Sequence, residues 1–337
     1  MASDAAPAGE PGATEEVRTV ARTACCVVGG GPAGMVLALL LARKGVPVTL
    51  LEAHRDFDRQ FRGDTLHPAI LEVLDQVGLA EPLLRLPHAK WFAPTFLAAD
   101  GPFTPIDLRR LKTPFPYIML VPQERFLDFL AAEAQKYPHF RLVLGANVQR
   151  LVEEGGVVRG VRYRAADGWH EVRAALTVGA DGRFSRVRHL AGLPADTLSP
   201  PVELLWFRLP RQPGDEHVFD PLPAAVQAEP LAVIEGEHDT AAGFVRWAQG
   251  RILLVFNRVD HWQVGYFYPG GHYPALRAAD LDALRASIAA LEPRLDRHAA
   301  ALMDWHQLSP LSVAFSRGSR AAIDARSASR PAARNAG

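Results

Sequence analysis

The sequence predicts an α/β protein in which a domain built on a parallel sheet carries a second, antiparallel β-sheet domain inserted into it. Residues 25–52 give the first observation, because they follow the order strand, turn, helix, strand that produces parallel strands. Another apolar strand, Ala175–Val178, leads to an acid at Asp181. Segments 88–120 and 200–268 contain short apolar runs that alternate with polar residues around glycines and prolines, as antiparallel strands and hairpins do.

A glycine-rich turn follows the first strand, Cys25–Val28. Gly29 allows a tight turn, Gly31 lets the backbone approach a pyrophosphate, and Gly34 lets helix and strand pack closely. The pyrophosphate would then lie at the N-terminus of the following helix, where free N–H groups and the positive end of the helix dipole face it. The candidate cofactor-binding residues of this turn are Gly29, Gly31, Pro32, Ala33 and Gly34.

A helix and a second strand complete the unit. The helix is predicted over Met35–Arg43 and ends at Lys44-Gly45, a cation and a glycine, which are typical of a helix C-terminus. Val46–Leu51 is predicted as a strand, and the acid that follows it, Glu52, is placed to accept hydrogen bonds from the hydroxyls of an adenosine ribose. The order of these elements predicts a Rossmann-like dinucleotide-binding unit. The alternative is a purely structural βαβ unit.

The composition argues against several classes of protein. The chain has 337 residues, enough for two modest domains or one large one, and its 37 Lys and Arg balance its 37 Asp and Glu. No charge excess therefore favours nucleic acid or an anionic membrane as the main partner. The most apolar helical run, Met35–Ala42, is far shorter than the roughly 20 residues that span a bilayer. No metal-ligand cluster or Ser/His/Asp triad stands out in the sequence.

The cysteines indicate a reducing compartment. The chain has two, Cys25 and Cys26, which are neighbours on one predicted strand, so their side chains face opposite sides of the sheet and should not pair. The first 20 residues lack the basic start and apolar centre of a signal peptide. We therefore expect a cytoplasmic protein with a disordered leader.

A second set of candidate residues follows the strand Ala175–Val178. The letters GADGRFSRVR combine an acid, Asp181, a glycine turn at Gly182 and a short basic helix. Such a segment provides acceptors for hydroxyl groups and cations for a pyrophosphate. The alternative is a plain Asp-Gly turn.

The remaining segments complete the predicted domain organisation. Amphipathic helices are predicted over Glu124–Gln135 and over Leu281–Leu302, the latter interrupted at Pro293, and short strands lie between them. The predicted parts are a disordered leader 1–20, a nucleotide-binding domain 21–87 with 121–195, a β-sheet domain 88–120 with 196–275, a helical return to the first domain 276–313, and a low-complexity, disordered tail 314–337.

These motifs resemble those of the class A FAD-dependent monooxygenases, the para-hydroxybenzoate hydroxylase-like family that includes aromatic hydroxylases and ubiquinone-biosynthesis hydroxylases. GGGPAG with Glu52 is similar to the family's FAD-binding βαβ unit, and VGADGRFSRVR is similar to its DG motif. The resemblance implies that Asp181 and Gly182 lie near the FAD pyrophosphate and that Arg188 completes the motif.

Two further segments extend the resemblance over roughly residues 23–312. FRGDTLHPAILEVLDQVGL is similar to the family's arginine loop and following helix, with Arg62 in the position of a flavin-contacting arginine. VPQERFLDFL implies that Gln123 lies near the flavin. The implied fold is a Rossmann-like FAD-binding domain of the GR2 type with an inserted antiparallel β-sheet domain for the substrate.

The resemblance also implies a reaction. FAD would be reduced by NADH or NADPH, O₂ would add at the flavin C4a to give a hydroperoxide, and one oxygen atom would pass to an aromatic or similar small molecule. A flavin-dependent reductase or dehydrogenase of the same fold, which does not use O₂, is the first alternative. A non-catalytic nucleotide-binding remnant is the second. A simple Rossmann dehydrogenase fits least, because the DG motif and the inserted sheet have no place in it.

The C-terminal sequence departs from the family's pattern. The family closes its flavin site with a strand that ends in Gly-Asp, a loop with Pro and Gly, and a long helix. The two Gly-Asp pairs here, Gly63-Asp64 and Gly214-Asp215, follow no apolar strand, and residues 314–337 are rich in Ala, Arg and Ser without periodicity. A truncation and an out-of-frame end are the two interpretations, and with either we expect the chain as written to bind FAD weakly.

Overall fold

The structure is a computed structural model, and it forms two compact units. The first unit comprises Met1–Asp58, Leu127–Ala195 and Gly318–Gly337, and the second comprises Arg59–Phe126 and Asp196–Arg317. The residues that the structure describes are 16–57, 65–94, 96–98, 100–198, 202–215, 232–235, 243–248, 250–257, 261–268, 273–313 and 315–318.

Strands make up most of the regular structure. Within the described residues they are β1 (Val17–Val28), β2 (Val48–Leu51), β3 (Thr65–Leu66), β4 (His88–Trp91), β5 (Phe96–Ala98), β6 (Gly101–Phe103), β7 (Ile118–Leu120), β8 (Phe140–Val143), β9 (Asn147–Glu154), β10 (Val157–Ala165), β11 (Gly168–Gly179), β12 (Ala195–Thr197), β13 (Val202–Pro210), β14 (Ala232–Glu235), β15 (Gly243–Ala248), β16 (Arg251–Asn257), β17 (His261–Tyr268), β18 (Ser309–Val313) and β19 (Ser316–Gly318).

The helices are shorter and fewer. Within the same residues they are α1 (Pro32–Arg43), α2 (Pro68–Gln76), α3 (Ala80–Leu84), α4 (Gln123–Gln135), α5 (Arg186–Leu190), α6 (Tyr273–Ala278), α7 (Leu281–Leu291) and α8 (Asp296–Ala299), with 3₁₀ turns at Leu108–Arg110, Pro293–Leu295 and Trp305–Gln307. None of the helices in the described part of the chain has the length and apolar character to cross a membrane.

The sheet of the first unit has the strand order β8-β2-β1-β11-β10-β9. The first four strands are parallel, and β10 and β9 continue the sheet in antiparallel fashion. Helix α1 connects β1 to β2, which is the crossover that parallel neighbours require. Because Val28 pairs with Leu51 on one side and with Gly179 on the other, three strands end at the same edge of the sheet.

Helix α1 is apolar because it is buried against this sheet. Met35 and Ala38 are 0% exposed and Leu39 is 1% exposed, on the helix that the sequence predicts over Met35–Arg43. The helix begins one turn earlier, at Pro32, since a proline is well suited to the first turn of a helix. It ends as predicted, with Arg43 in the last turn and Gly45 at a φ of 76°.

The second unit contains two sheets. The larger has the order β18-β13-β17-β16-β15-β5-β6 and the smaller has the order β14-β4-β7-β3. In the larger sheet β5 and β15 are parallel and the other strand pairs are antiparallel. The predicted sheet built from two separated pieces of chain is therefore present, and the α/β class with an antiparallel sheet domain is confirmed.

The unit boundaries differ from the predicted ones. The predicted helical return, 276–313, belongs to the second unit, because Leu284 and Ile288 of α7 are fully buried in one cluster with Leu205 of the large sheet. Residues 59–87, with α2 and α3, also belong to the second unit. An amphipathic helix shows one apolar face in the sequence but does not show which sheet that face covers.

Both predicted terminal segments contain strand residues. β1 begins at Val17, within the predicted leader 1–20, because Val17 pairs with Trp169 and the pairing with β11 continues from there. In the predicted tail 314–337, Ser316–Gly318 form β19, which pairs with β12. Residues 1–15, 314 and 319–337 lie outside the described residues.

Candidate nucleotide-binding site

Three loops of the first unit meet at the edge where β1, β2 and β11 end. The N–H of Gly29 donates to the carbonyl of Leu51 at 2.8 Å. The N–H of Ala180 donates to the carbonyl of Val28 at 2.7 Å. The glycine turn, Glu52 and the Asp181 turn are thereby fixed side by side. Crevices at the carboxyl ends of parallel strands are where α/β proteins bind ligands.

Three of the four glycines in residues 29–34 have clearly different surroundings. Gly29 has a φ of 106°, and a Cβ on it would overlap the carbonyl group of Ala180. A Cβ on Gly34 would overlap the carbonyl oxygen of Gly29. A Cβ on Gly31 would have no described atom within 4 Å, so this residue presents bare backbone to open space.

The N-terminus of α1 faces the same space. Gly31 is the N-cap and provides no side-chain cap, and the first turn, with Pro32 and Ala33, contains no acid. The first N–H groups of a helix have no partner within the helix, and the dipole makes this end favourable for an anion. The open backbone at Gly31 and the uncapped helix therefore lie together and have the character that an anion-binding site requires.

Glu52 lies across the base of this surface. Its Oε2 accepts a hydrogen bond from the N–H of Gly30 at 2.8 Å. Its Oε1 accepts from the N–H of His54 at 3.0 Å and lies 2.6 Å from His54 Nδ1. Burial raises the pKa of the Glu52 carboxyl, but the hydrogen bonds from His54 and Gly30 outweigh it and hold that pKa below its usual value. The side chain is therefore an ionised acceptor at neutral pH.

Asp181 shapes the turn that follows β11. Its Oδ1 accepts from the Ser185 hydroxyl at 2.5 Å and its Oδ2 accepts from the N–H of Val187 at 3.0 Å. Ser185 is in turn the N-cap of α5, since its Oγ accepts from the N–H of Arg188 at 3.0 Å. Gly182 has a φ of 82°, which explains the glycine between Asp181 and this short helix.

Cationic side chains surround the Asp181 turn. The guanidinium of Arg188 lies 3.4 Å from His189 Nε2. The guanidinium of Arg183 lies 4.5 Å from the ring centroid of Phe184, a side chain that is 79% exposed. These groups add positive charge near a surface that already suits an anion.

Nine of the predicted site residues lie in the first unit. These are Gly29, Gly31, Pro32, Ala33, Gly34, Glu52, Asp181, Gly182 and Arg188. Gln123 is the first residue of α4 and belongs to the second unit. Arg62 lies outside the described residues. The contacts of these residues with a cofactor remain predictions.

Sequence reasoning missed two residues that shape the site, His54 and Ser185. Each follows a predicted acid at short range, His54 two residues after Glu52 and Ser185 four residues after Asp181. A serine just before a helix is a recognisable cap signal. A histidine beside a strand-terminal acid has no comparable signature, so its role is visible only in the structure.

The comparison with known families identifies this part of the chain. Residues 22–215 match the family described as FAD binding domain. The chain is 40% identical over 190 residues to the 6-methylpretetramide 4-monooxygenase of Streptomyces rimosus, an alignment that covers 56% of this chain and 46% of that protein. It is 37% identical over 172 residues to the rifampicin monooxygenase of Streptomyces venezuelae, with 50% of this chain and 33% of that protein covered. The chain thus spans less than half the length of these two relatives.

Among solved structures, a flavoprotein/dehydrogenase from Cytophaga hutchinsonii shares the fold. The TM-score is 0.67 at 17% sequence identity, and the alignment covers 89% of this chain and 68% of that chain. This likeness concerns the fold alone.

Proposed function

We propose that this chain, which belongs to the FAD binding domain family, the family of the class A flavin monooxygenases, acts as an FAD-dependent monooxygenase. The proposed reaction uses NADH or NADPH and O₂ to hydroxylate an aromatic or similar small molecule. One observation carries the cofactor part of this proposal. The carboxyl ends of β1, β2 and β11 bring an open glycine backbone, an uncapped helix N-terminus and an ionised acid to one edge.

The residues present fit the adenosine diphosphate half of FAD. The space beside Gly31 is the space that a Cβ would take from a pyrophosphate. The first turn of α1 offers N–H groups and no competing acid. Glu52, as an acceptor, suits the ribose hydroxyls, which are donors. A binding surface that lacked any one of these features would fit the cofactor less well.

Each residue has a proposed part in holding the cofactor. The N–H groups at the start of α1 bind the pyrophosphate and Glu52 binds the ribose. Asp181 and Gly182 hold the turn beside the pyrophosphate, and Arg188 adds positive charge there. Arg62 and Gln123 are proposed to contact the flavin end, by analogy with the family. FAD, when bound, supplies the redox chemistry that none of the amino acid side chains can perform.

The names of the two relatives suggest which substrates to test. Those proteins are named for 6-methylpretetramide and rifampicin. Family membership with an identity of 40% and 37% over the shared region supports a related small molecule as the substrate of this chain. These two compounds are therefore the first to offer to the purified protein. A cytoplasmic location is part of the proposal, and the free thiols of Cys25 and Cys26 support it.

A reductase or dehydrogenase of the same fold is the second candidate. The shared fold with a flavoprotein/dehydrogenase favours keeping it, because the fold does not distinguish the two reactions. The two candidates differ in the origin of the product's oxygen. A monooxygenase transfers one atom of O₂ to its product, whereas a dehydrogenase does not.

Two measurements test the proposal. The visible absorbance of the purified protein, with and without added FAD, shows whether flavin binds, because no amino acid absorbs at those wavelengths. Incubation with NADPH or NADH, one of the two compounds and ¹⁸O₂ should then give a product heavier by one ¹⁸O atom. A bound flavin with reduced product and no ¹⁸O would favour the dehydrogenase. The absence of flavin binding would favour a non-catalytic remnant.

A further inference from the structure

His54 and Glu52 form a hydrogen-bonded pair at the nucleotide surface. His54 donates to Oε1 of Glu52 twice, through its backbone N–H at 3.0 Å and through Nδ1 at 2.6 Å. The other carboxylate oxygen, Oε2, is held by the N–H of Gly30 at 2.8 Å. The carboxylate is therefore fixed from two directions, by the loop that follows β1 and by the loop that follows β2.

The chemistry of the pair fixes the hydrogen on the imidazole. An ionised carboxylate only accepts hydrogen bonds, so His54 Nδ1 must carry the hydrogen that it donates to Oε1. The lowered pKa of Glu52 supports the ionised form. Side-chain partners of this kind orient a binding group, as the outer partners of metal ligands do.

The exposure of the two side chains shows that His54 contributes little to packing. The Glu52 side chain is 11% exposed, whereas the His54 side chain is 58% exposed. Removal of a side chain that is mostly in solvent leaves little cavity and changes stability by a small amount. The contact with Glu52 is thus the main thing that His54 contributes.

From this geometry we infer that His54 is a positioning residue of the nucleotide site: it holds the Glu52 carboxylate in the orientation that receives the ribose hydroxyls. The inference rests on the proposed function, because it needs a nucleotide at this edge. It adds a residue outside the glycine turn and the DG motif. The inference concerns binding, so adenosine diphosphate alone serves as the probe.

The first test is calorimetric titration of ADP into the full chain and two variants. His54→Ala removes the Nδ1 donor, and ADP affinity should fall by about fivefold, the effect of one net hydrogen bond. His54→Asn is the matched control, because its amide nitrogen can donate from nearly the same place, and its affinity should stay within about twofold of the wild type. Unchanged or tighter ADP binding by His54→Ala would overturn the inference.

The second test asks whether His54 acts through Glu52. In a Glu52→Ala background, His54→Ala should cause no further loss of ADP affinity, since the carboxylate that it positions is absent. An equal loss in both backgrounds would show that His54 contacts the nucleotide by itself, and the positioning role would be wrong. The thermal midpoint of His54→Ala, recorded without ADP, should match that of the wild type.

Gly31→Val separates a failure of this inference from a failure of the proposed function. If Gly31→Val abolishes ADP binding and His54→Ala leaves it unchanged, the site stands and only the role of His54 is wrong. If Gly31→Val also binds ADP like the wild type, the nucleotide does not lie at this edge. Both proposals then fail together.

Discussion

At the scale of single residues, two glycines of the same turn have different surroundings. Gly31 is open to solvent on its Cα side, whereas a Cβ on Gly34 would overlap the carbonyl oxygen of Gly29. We therefore expect Gly31 to matter for ligand binding and Gly34 to matter for the fold. Substitutions at the two positions should therefore give different results.

We expect Gly31→Val to lose ADP affinity by at least about tenfold while the thermal midpoint stays unchanged, because the added side chain enters the ligand's space and touches no described atom. Gly34→Ala should lose binding and also about 1–3 kcal/mol of stability, because its methyl group overlaps the backbone. Calorimetry with ADP and thermal unfolding measure the two effects. A loss of stability in Gly31→Val equal to that in Gly34→Ala would contradict this distinction.

The residues of the site were predictable to different degrees. Gly29, Gly34 and Glu52 follow from the spacing of a single βαβ unit, and the structure places them at one strand edge. His54 could not be predicted, because its role depends on a side-chain rotamer that meets Glu52 in space. Arg62 and Gln123 were suggested by resemblance and remain predictions.

At the scale of elements, a buried acid links three parts of the second unit. Asp215, 2% exposed, lies in the turn after β13. It accepts from the Trp262 indole at 2.9 Å, from the Arg297 guanidinium at 2.6 Å and from His298 Nε2 at 2.8 Å. The carboxylate thus joins the turn to β17 and to α8. The Gly-Asp pair singled out by the sequence has a structural role here.

Asp215→Asn should lower the free energy of unfolding of the second unit by about 3 kcal/mol, since it leaves buried donors facing an amide. Asp282→Asn is the control, because the Asp282 side chain on α7 is 79% exposed, and it should cost less than about 0.5 kcal/mol. Urea unfolding followed by tryptophan fluorescence measures both. Equal losses would show that Asp215 is not a specific link.

The same carboxylate should make stability depend on pH in the acid range. Burial raises the pKa of Asp215, but hydrogen bonds from Gln212, Trp262 and His298 outweigh it and hold that pKa below its usual value. A group whose pKa is lowered on folding stabilises the fold above its unfolded pKa, and that stability is lost as the pH falls through the folded pKa. Unfolding midpoints below pH 4 should therefore fall less steeply in Asp215→Asn than in the wild type. Parallel pH profiles for the two proteins would contradict this expectation.

The elements themselves were largely predictable, and their extent was less so. The sequence predicts a short strand over Ala175–Val178, whereas the structure has one longer strand, β11, from Gly168 to Gly179. Its first half has partners on both sides, β1 and β10, and its second half continues along β1. The alternation of apolar residues does not predict the length of a strand whose neighbours change along it. The length of β11 is therefore set by its pairing with β1 and β10.

At the scale of the whole molecule, the two units are built from interleaved pieces of chain. The first unit consists of three segments separated by two excursions of the chain, and those excursions, Arg59–Phe126 and Asp196–Arg317, form the second unit. The sequence predicts such an arrangement from the alternation of βαβ and hairpin patterns. The sequence does not show which unit contains α7, because that depends on which sheet has an apolar face available for the helix to pack against.

The placement of two residue types gives each unit its own optical or chemical signal. Cys25 and Cys26, the only cysteines of the chain, both lie on β1 of the first unit, 3% and 0% exposed. Burial raises the pKa of the Cys26 thiol to about 12, so it stays protonated and unreactive while the unit is folded. Of the six tryptophans, Trp169 belongs to the first unit and the rest belong to the second.

In the wild-type chain, thiol labelling therefore reports on unfolding of the first unit, and tryptophan fluorescence reports mainly on the second. With a thiol reagent such as DTNB, the rate of labelling should depend on how often the first unit unfolds enough to expose Cys25 and Cys26. ADP at 100 times its dissociation constant should slow labelling by about 100-fold, because the nucleotide binds only the closed form. In Gly31→Val, ADP should not slow the labelling. Asp215→Asn should shift the unfolding transition seen by fluorescence and leave the labelling rate unchanged. If ADP moved both signals by the same factor, the two halves would open as a single cooperative body.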